Sequence, residues 1–135
     1  MRKEETHNLA AGTFIVRADG IVVGIPTAKD MDLDDAKEFL ALWRRIQPNG
    51  KIRLLLDERG VSRKMSPESR AYFSENIQDV VEMIAILVKN TFSRFFASGV
   101  LAVMHTGKTK ARAFDNEQAA LEWLRSGASS KAASG

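Results

Sequence analysis

The chain has no cysteine, two histidines, three prolines and one tyrosine among its 135 residues. Without cysteine there are no disulfides, thiol nucleophiles or thiolate zinc sites, and the composition is compatible with a reducing compartment. His7 and His105 each lack a second histidine or a dense carboxylate cluster at ligand spacing, so no metal and no cofactor is expected. No apolar run reaches the roughly 18 to 20 residues that span a bilayer, and Met1–Leu9 lacks the apolar stretch of a signal peptide. The expected location is the cytoplasm. Charge of one sign is also scarce: 20 Lys and Arg stand against 17 Asp and Glu, a formal net charge of +3, and the cations are spread along the chain. That distribution argues against nucleic acid, which calls for a concentrated basic face. The densest group is Lys108, Lys110 and Arg112, with Lys89 and Arg94 as further members. It reads either as a solvated face or as contact for an anionic partner.

What the chain does have is material for one core. With 44% hydrophobic and 27% charged residues, it matches a single compact soluble domain. Polar residues 1–11 read as a flexible start, 12–125 as the domain, and the Gly/Ser-rich residues 126–135 as a disordered tail. Thr13 to Ala18 and Ile21 to Ile25 are β-branched runs about Asp19-Gly20, the signature of a hairpin closed by a type I′ turn. Asp32 then caps a helix whose apolar positions Ala36, Phe39, Leu40, Trp43 and Ile46 follow the 3.6 period, with Arg44 and Arg45 in its last turn.

Ile52–Leu56 is an aliphatic run of strand length, as expected for a strand covered on both faces. Ser66, Pro67 and Glu68 together start a second helix, buried through Phe73, Ile77 and Val80. Met83–Val88 supplies another interior strand, and the two runs with the helix between them describe a right-handed βαβ unit. Thr91–His105 reads as a third helix with an apolar arc broader than one sheet contact requires. Lys110–Phe114 gives a last strand, and Asp115 with Gln118 forms a capping box for a final helix bearing Ala120, Trp123 and Leu124. The expected architecture is α/β: a mixed sheet of N-terminal hairpin plus parallel strands, with about four helices in the order β-β-α-β-α-β-α-β-α.

Three segments, LLLDERGVS, ILVKNTFSRFFA and ARAFDNEQAALEWL, carry a resemblance to SpoIIAA-like domains, the fold of STAS domains and anti-sigma-factor antagonists. More specifically, the chain is similar to the small bacterial single-domain proteins grouped with STAS and CRAL-TRIO-type lipid-binding domains. In the antagonists a serine at the start of the helix after the third strand is phosphorylated. Asp57, Gly60 and Val61 fit the beginning of that motif and Ser66 falls at the serine, but Met65, Pro67 and Glu68 depart from it. The resemblance therefore implies Ser66 as a candidate phosphosite, with Arg59, Arg63, Lys64 and Arg70 available to a phosphate there. A plain N-cap already accounts for Ser66 by itself and is the preferred reading.

No catalytic grouping is visible. Asp57 and Glu58 are adjacent on an extended segment and point to opposite faces, and the serines lack a histidine partner or a nucleophile-elbow pattern. The expected function is a non-catalytic protein-interaction or signalling module, not an enzyme. Its binding loop comprises Asp57, Glu58, Arg59, Gly60, Ser62, Arg63, Ser66 and Arg70. The alternative is a carrier of a small apolar or amphipathic ligand, in a groove of Phe92, Phe96, Val100, Leu101 and Met104 with Arg94 or Lys89 for an acidic head group. The same helix could instead join two copies as a homodimer.

Overall fold

The structure, a computed structural model, describes residues 3–60, 63–89 and 108–134. Six strands lie side by side in chain order: β1 (Glu5–Leu9), β2 (Gly12–Val16), β3 (Val22–Pro26), β4 (Ile52–Asp57), β5 (Val81–Leu87) and β6 (Lys110–Phe114). The first three pair antiparallel and the last three continue the sheet in parallel from β3. Helix α1 (Leu33–Ile46) links β3 to β4, α2 (Pro67–Asn76) precedes β5, and α3 (Glu117–Ser134) follows β6. The helix expected over Thr91–His105 lies outside the described residues.

Strand alternation divides the core in two. Leu54, Leu56, Ile84 and Ile86 face α1 and α2, while Leu55, Met83, Ala85 and Leu87 face Ala120, Leu121 and Leu124 of α3. On the α1 side Phe14 packs edge-on against Phe39 and Trp43, at 4.7 and 5.7 Å between ring centroids, and Trp43 stacks on Phe73 at 6.1 Å. Gly24 makes room for this cluster: a Cβ there would sit 2.7 Å from the Phe14 ring and 2.8 Å from Leu56. Two of the three sequence-derived caps are present. Asp32 and Asp35 form a reciprocal capping box, and Ser66 accepts the Ser69 N–H at 3.1 Å with Pro67 at the first helical position.

Four features differ from expectation. β1 adds a strand where residues 1–11 read as a flexible start; its polar Glu5-Thr6-His7-Asn8 has no apolar alternation to signal it, and pairing with β2 holds it together with Leu9, which packs against the core. The β2–β3 link is a three-residue loop, not a type I′ turn. Arg17 N–H donates to the Ile21 carbonyl and Gly20 N–H to the Arg17 carbonyl, each at 2.9 Å, and among the described residues Gly20 alone has positive φ, +90°. A type I turn followed by a left-handed glycine serves such a loop, and Asp19 fixes it by accepting the Ile21 N–H at 3.1 Å. At the start of α3 the cap is Asn116, which accepts the Ala119 N–H at 2.9 Å, while Gln118 donates to Glu122. Finally, α3 continues past residue 125 to Ser134. Gly127 packs so closely on Met83 that a Cβ would collide with the thioether, a contact that Gly/Ser composition does not reveal. Arg53 ties this helix to the sheet by donating to the Leu124 carbonyl while pairing with Glu82 at 3.0 Å.

Candidate functional site at the strand ends

The last residue of β4 and the next one begin the expected binding loop, and alternation sends their carboxylates to opposite faces. Asp57 faces the α3 side, where it accepts Nε and Nη2 of Arg59, both at 2.8 Å, and the Arg59 backbone N–H at 3.2 Å. Nη2 of Arg59 also reaches Glu117 in the first turn of α3, at 3.3 Å. Hydrogen bonding to Arg59 holds the Asp57 carboxyl below its ordinary value, against a smaller opposing effect of burial.

Glu58 goes the other way and is 1% exposed. Its two oxygens receive Arg63 Nε at 3.3 Å and Nη2 at 3.0 Å, and Arg63 Nη1 donates to the Ala11 carbonyl at 2.8 Å. The Ala11 carbonyl also accepts the Thr27 N–H at 3.2 Å, and the Glu58 N–H donates to Leu87 at 3.1 Å. Arg63 thus bolts the end of β4 to the β1–β2 turn and the end of β3. Burial pushes the Glu58 carboxyl above its ordinary value, opposed by the charge and hydrogen bonds of Arg63. Glu58 and Arg63, grouped by sequence with the exposed charges of the loop, are interior residues.

The ends of β4, β5 and β6 enclose a cleft of about 600 Å³ lined by Asp57, Arg59, Gly60, Val88, Lys89 and Asp115. Val88 N–H donates to the Phe114 carbonyl at 2.8 Å and so joins the two strand ends that form its floor. Because Asn116 takes the cap, Asp115 is exposed and turned to this cleft. Sequence reasoning missed this position, although adjacent Asp115 and Asn116, both competent caps, were a signal that one would be left over.

A family model described as "Domain of unknown function (DUF7793)" matches residues 14–127. The chain belongs to this family. No curated protein matches it. Among solved structures it is similar to an uncharacterised protein of the DUF3478 family with a SpoIIAA-like fold, from Shewanella loihica PV-4. That likeness covers 90% of this chain and 92% of the other, at 11% identity and a TM-score of 0.58. This DUF7793 domain therefore has the SpoIIAA-like α/β fold, and at such low identity the likeness extends to the fold alone.

In the DUF7793 domain the second half of the loop runs away from the cleft. Lys64 N–H donates to Asp30 at 2.8 Å, Met31 N–H to the Lys64 carbonyl at 2.8 Å, and Ser66 N–H to the Met31 carbonyl at 2.9 Å, strapping these residues to the connector before α1. Ser66 is the half-buried cap of α2, with the exposed Arg70 one turn on. Of the cations expected around Ser66, Arg59 and Arg63 are held elsewhere, by Asp57 and Glu58, which leaves Lys64 and Arg70 as its neighbours in the chain. The expected loop is consequently three environments: Asp57, Arg59 and Gly60 beside the cleft, Glu58 and Arg63 inside, Ser66 and Arg70 at α2. Ser62 and the groove residues Phe92, Arg94, Phe96, Val100, Leu101 and Met104 lie outside the described residues. Among the described residues no helix is long and apolar enough to cross a membrane.

Proposed function

We propose that this domain is a non-catalytic protein-interaction module whose contact surface is the rim of the strand-end cleft: Asp57, Arg59, Gly60, Lys89, Asp115 and Glu117. The observation that carries this reading is the double anchoring of the β4 loop. Arg59 ties its near end outward to α3, and Arg63 ties it inward to the β1–β2 turn. A charged loop fixed on both sides loses little conformational freedom when a partner covers it, which favours recognition. The half-buried Ser66 and the exposed Arg70, at the N-terminus of α2, lie on a separate edge that a large partner would also reach. The mixed signs of the rim suit a protein partner, whose own charges can be matched residue by residue.

The test is site-specific photo-crosslinking from position 60 in cells of the source organism. The module reading expects defined crosslinked proteins that disappear in Arg59→Glu and Asp115→Lys variants and persist with Lys37→Glu, an exposed change on α1. Crosslinks that survive both rim variants, or none above background, would refute it.

A further inference from the structure

We infer that the outer edge of β6, flanked by Phe114 and Trp123, is a docking strip for an acidic, extended segment of a partner protein, which joins the sheet as an added strand. This surface is separate from the cleft rim and does not depend on the reading of that rim. β6 pairs with β5 on one side, and no described strand lies on the other. Phe114 packs in the α3-side cluster, so alternation puts Lys110 and Arg112 on that same face. Both are exposed, as is Lys108.

These three cations stand apart from the ion-paired arginines of the fold, a condition they share, among the described residues, with Arg44, Arg45 and Arg70. Arg17, Arg53, Arg59, Arg63 and Arg125 each have a carboxylate within ion-pair distance. Among the described residues Lys108, Lys110 and Arg112 have none. Nor can a side chain from elsewhere in the sequence make up the difference, because residues 1–2, 61–62, 90–107 and 135 contain no Asp or Glu. The Arg112 guanidinium lies 5.2 Å from the Phe114 ring centroid, and Phe114 is 5.5 Å from Trp123, with both rings half-buried. The ring contact orients Arg112 without consuming its hydrogen-bond donors.

Unpaired lysine on an edge strand has a simpler role, since charge there discourages accidental pairing. That role needs no aromatic pair beside the charges. A half-exposed Trp–Phe pair next to Arg is instead the composition of an energetically dominant contact. Among the described residues that edge is unpaired, and it provides main-chain partners for an extended peptide. Acidic side chains at alternate positions of such a peptide repeat about every 6.5 to 7 Å, which is also the rise between Lys110 and Arg112 along β6. A nucleic acid would call for a much wider basic face.

Fluorescence anisotropy with a labelled peptide of alternating Glu and Val, together with amide chemical shifts of the full chain, tests the assignment. Binding should shift the amides of residues 110–114 and the Trp123 indole. It should weaken ~10-fold or more in Lys110→Glu/Arg112→Glu, where attraction becomes repulsion. The milder Lys110→Gln/Arg112→Gln should weaken it in the same direction, and Lys37→Glu should leave it unchanged. Methylating alternate backbone amides of the peptide should remove binding, because strand addition needs them. The inference is overturned if millimolar peptide shifts none of these amides. Equal binding of the methylated peptide or of a DNA duplex would show general attraction for polyanions and overturn it too.

Discussion

Asp57–Arg59 and Glu58–Arg63 are two ion pairs drawn from one short loop, and their carboxylates are consecutive in sequence. The first leaves 35% of the Arg59 side chain and 25% of the Asp57 side chain exposed; the second leaves 2% and 1%. Water screens the first pair and lets it exchange partners, so its contribution to stability is about 0 to 1 kcal/mol. The second has been stripped of water: the Glu58 carboxylate depends on Arg63, and the guanidinium on Glu58 and the Ala11 carbonyl. Adjacent residues of one chemical type thus serve different ends: Asp57 and Arg59 stay within reach of solvent, while Glu58 and Arg63 fasten the end of β4 to the β1–β2 turn.

The largest expected effect comes from breaking the interior pair. Arg63→Met leaves Glu58 buried without its counter-charge, and should cost about 3 to 5 kcal/mol in urea-induced unfolding. A cost under ~1 kcal/mol would make the two pairs equivalent. The double variant Glu58→Leu/Arg63→Met should recover most of that loss, because apolar side chains of similar volume often replace a buried pair at no net cost. Ser66→Ala, which removes a neutral, half-buried cap from the same loop, is expected to cost ~1 kcal/mol.

At the exposed pair, Asp57→Asn should change unfolding stability by less than ~1 kcal/mol while abolishing rim-dependent crosslinking. Acid titration distinguishes the carboxylates by sign. Asp57, depressed in the fold, contributes stability that is present above its unfolded value of about 3.9 and is lost as pH falls through the folded value. Glu58, raised in the fold, contributes stability present below its unfolded value of about 4.3 and lost as pH rises through the folded value. The difference in urea midpoint between wild type and Asp57→Asn should therefore grow as pH rises through the acid range. The difference between wild type and Glu58→Gln should shrink over the same range. Parallel trends would remove the contrast between the two sites.

Much of this architecture was readable because its causes are local. Asp32, Ser66 and Pro67 start helices by hydrogen bonding or by fixed backbone geometry within four residues, and the apolar periods of α1 and β4 state which faces are buried. β1 was not readable in this way. An exposed edge strand has no apolar alternation of its own and is defined by the partner it meets. The cap of α3 went to Asn116 although Asp115 has the same capacity, and so Asp115 became part of the cleft.

The sequence by itself determined the α/β class and the order of the central described elements, since these follow from periodicity and short-range capping. Tertiary structure alone decided which charges of that loop are accessible. Asp57 and Glu58 differ by one position, and only the packing of α3 on one side and the β1–β2 turn on the other gives them different solvents. Burial is a property of what a side chain meets across the fold. For that reason the same four charged residues read as one exposed loop in the sequence and as two unlike sites in the folded protein.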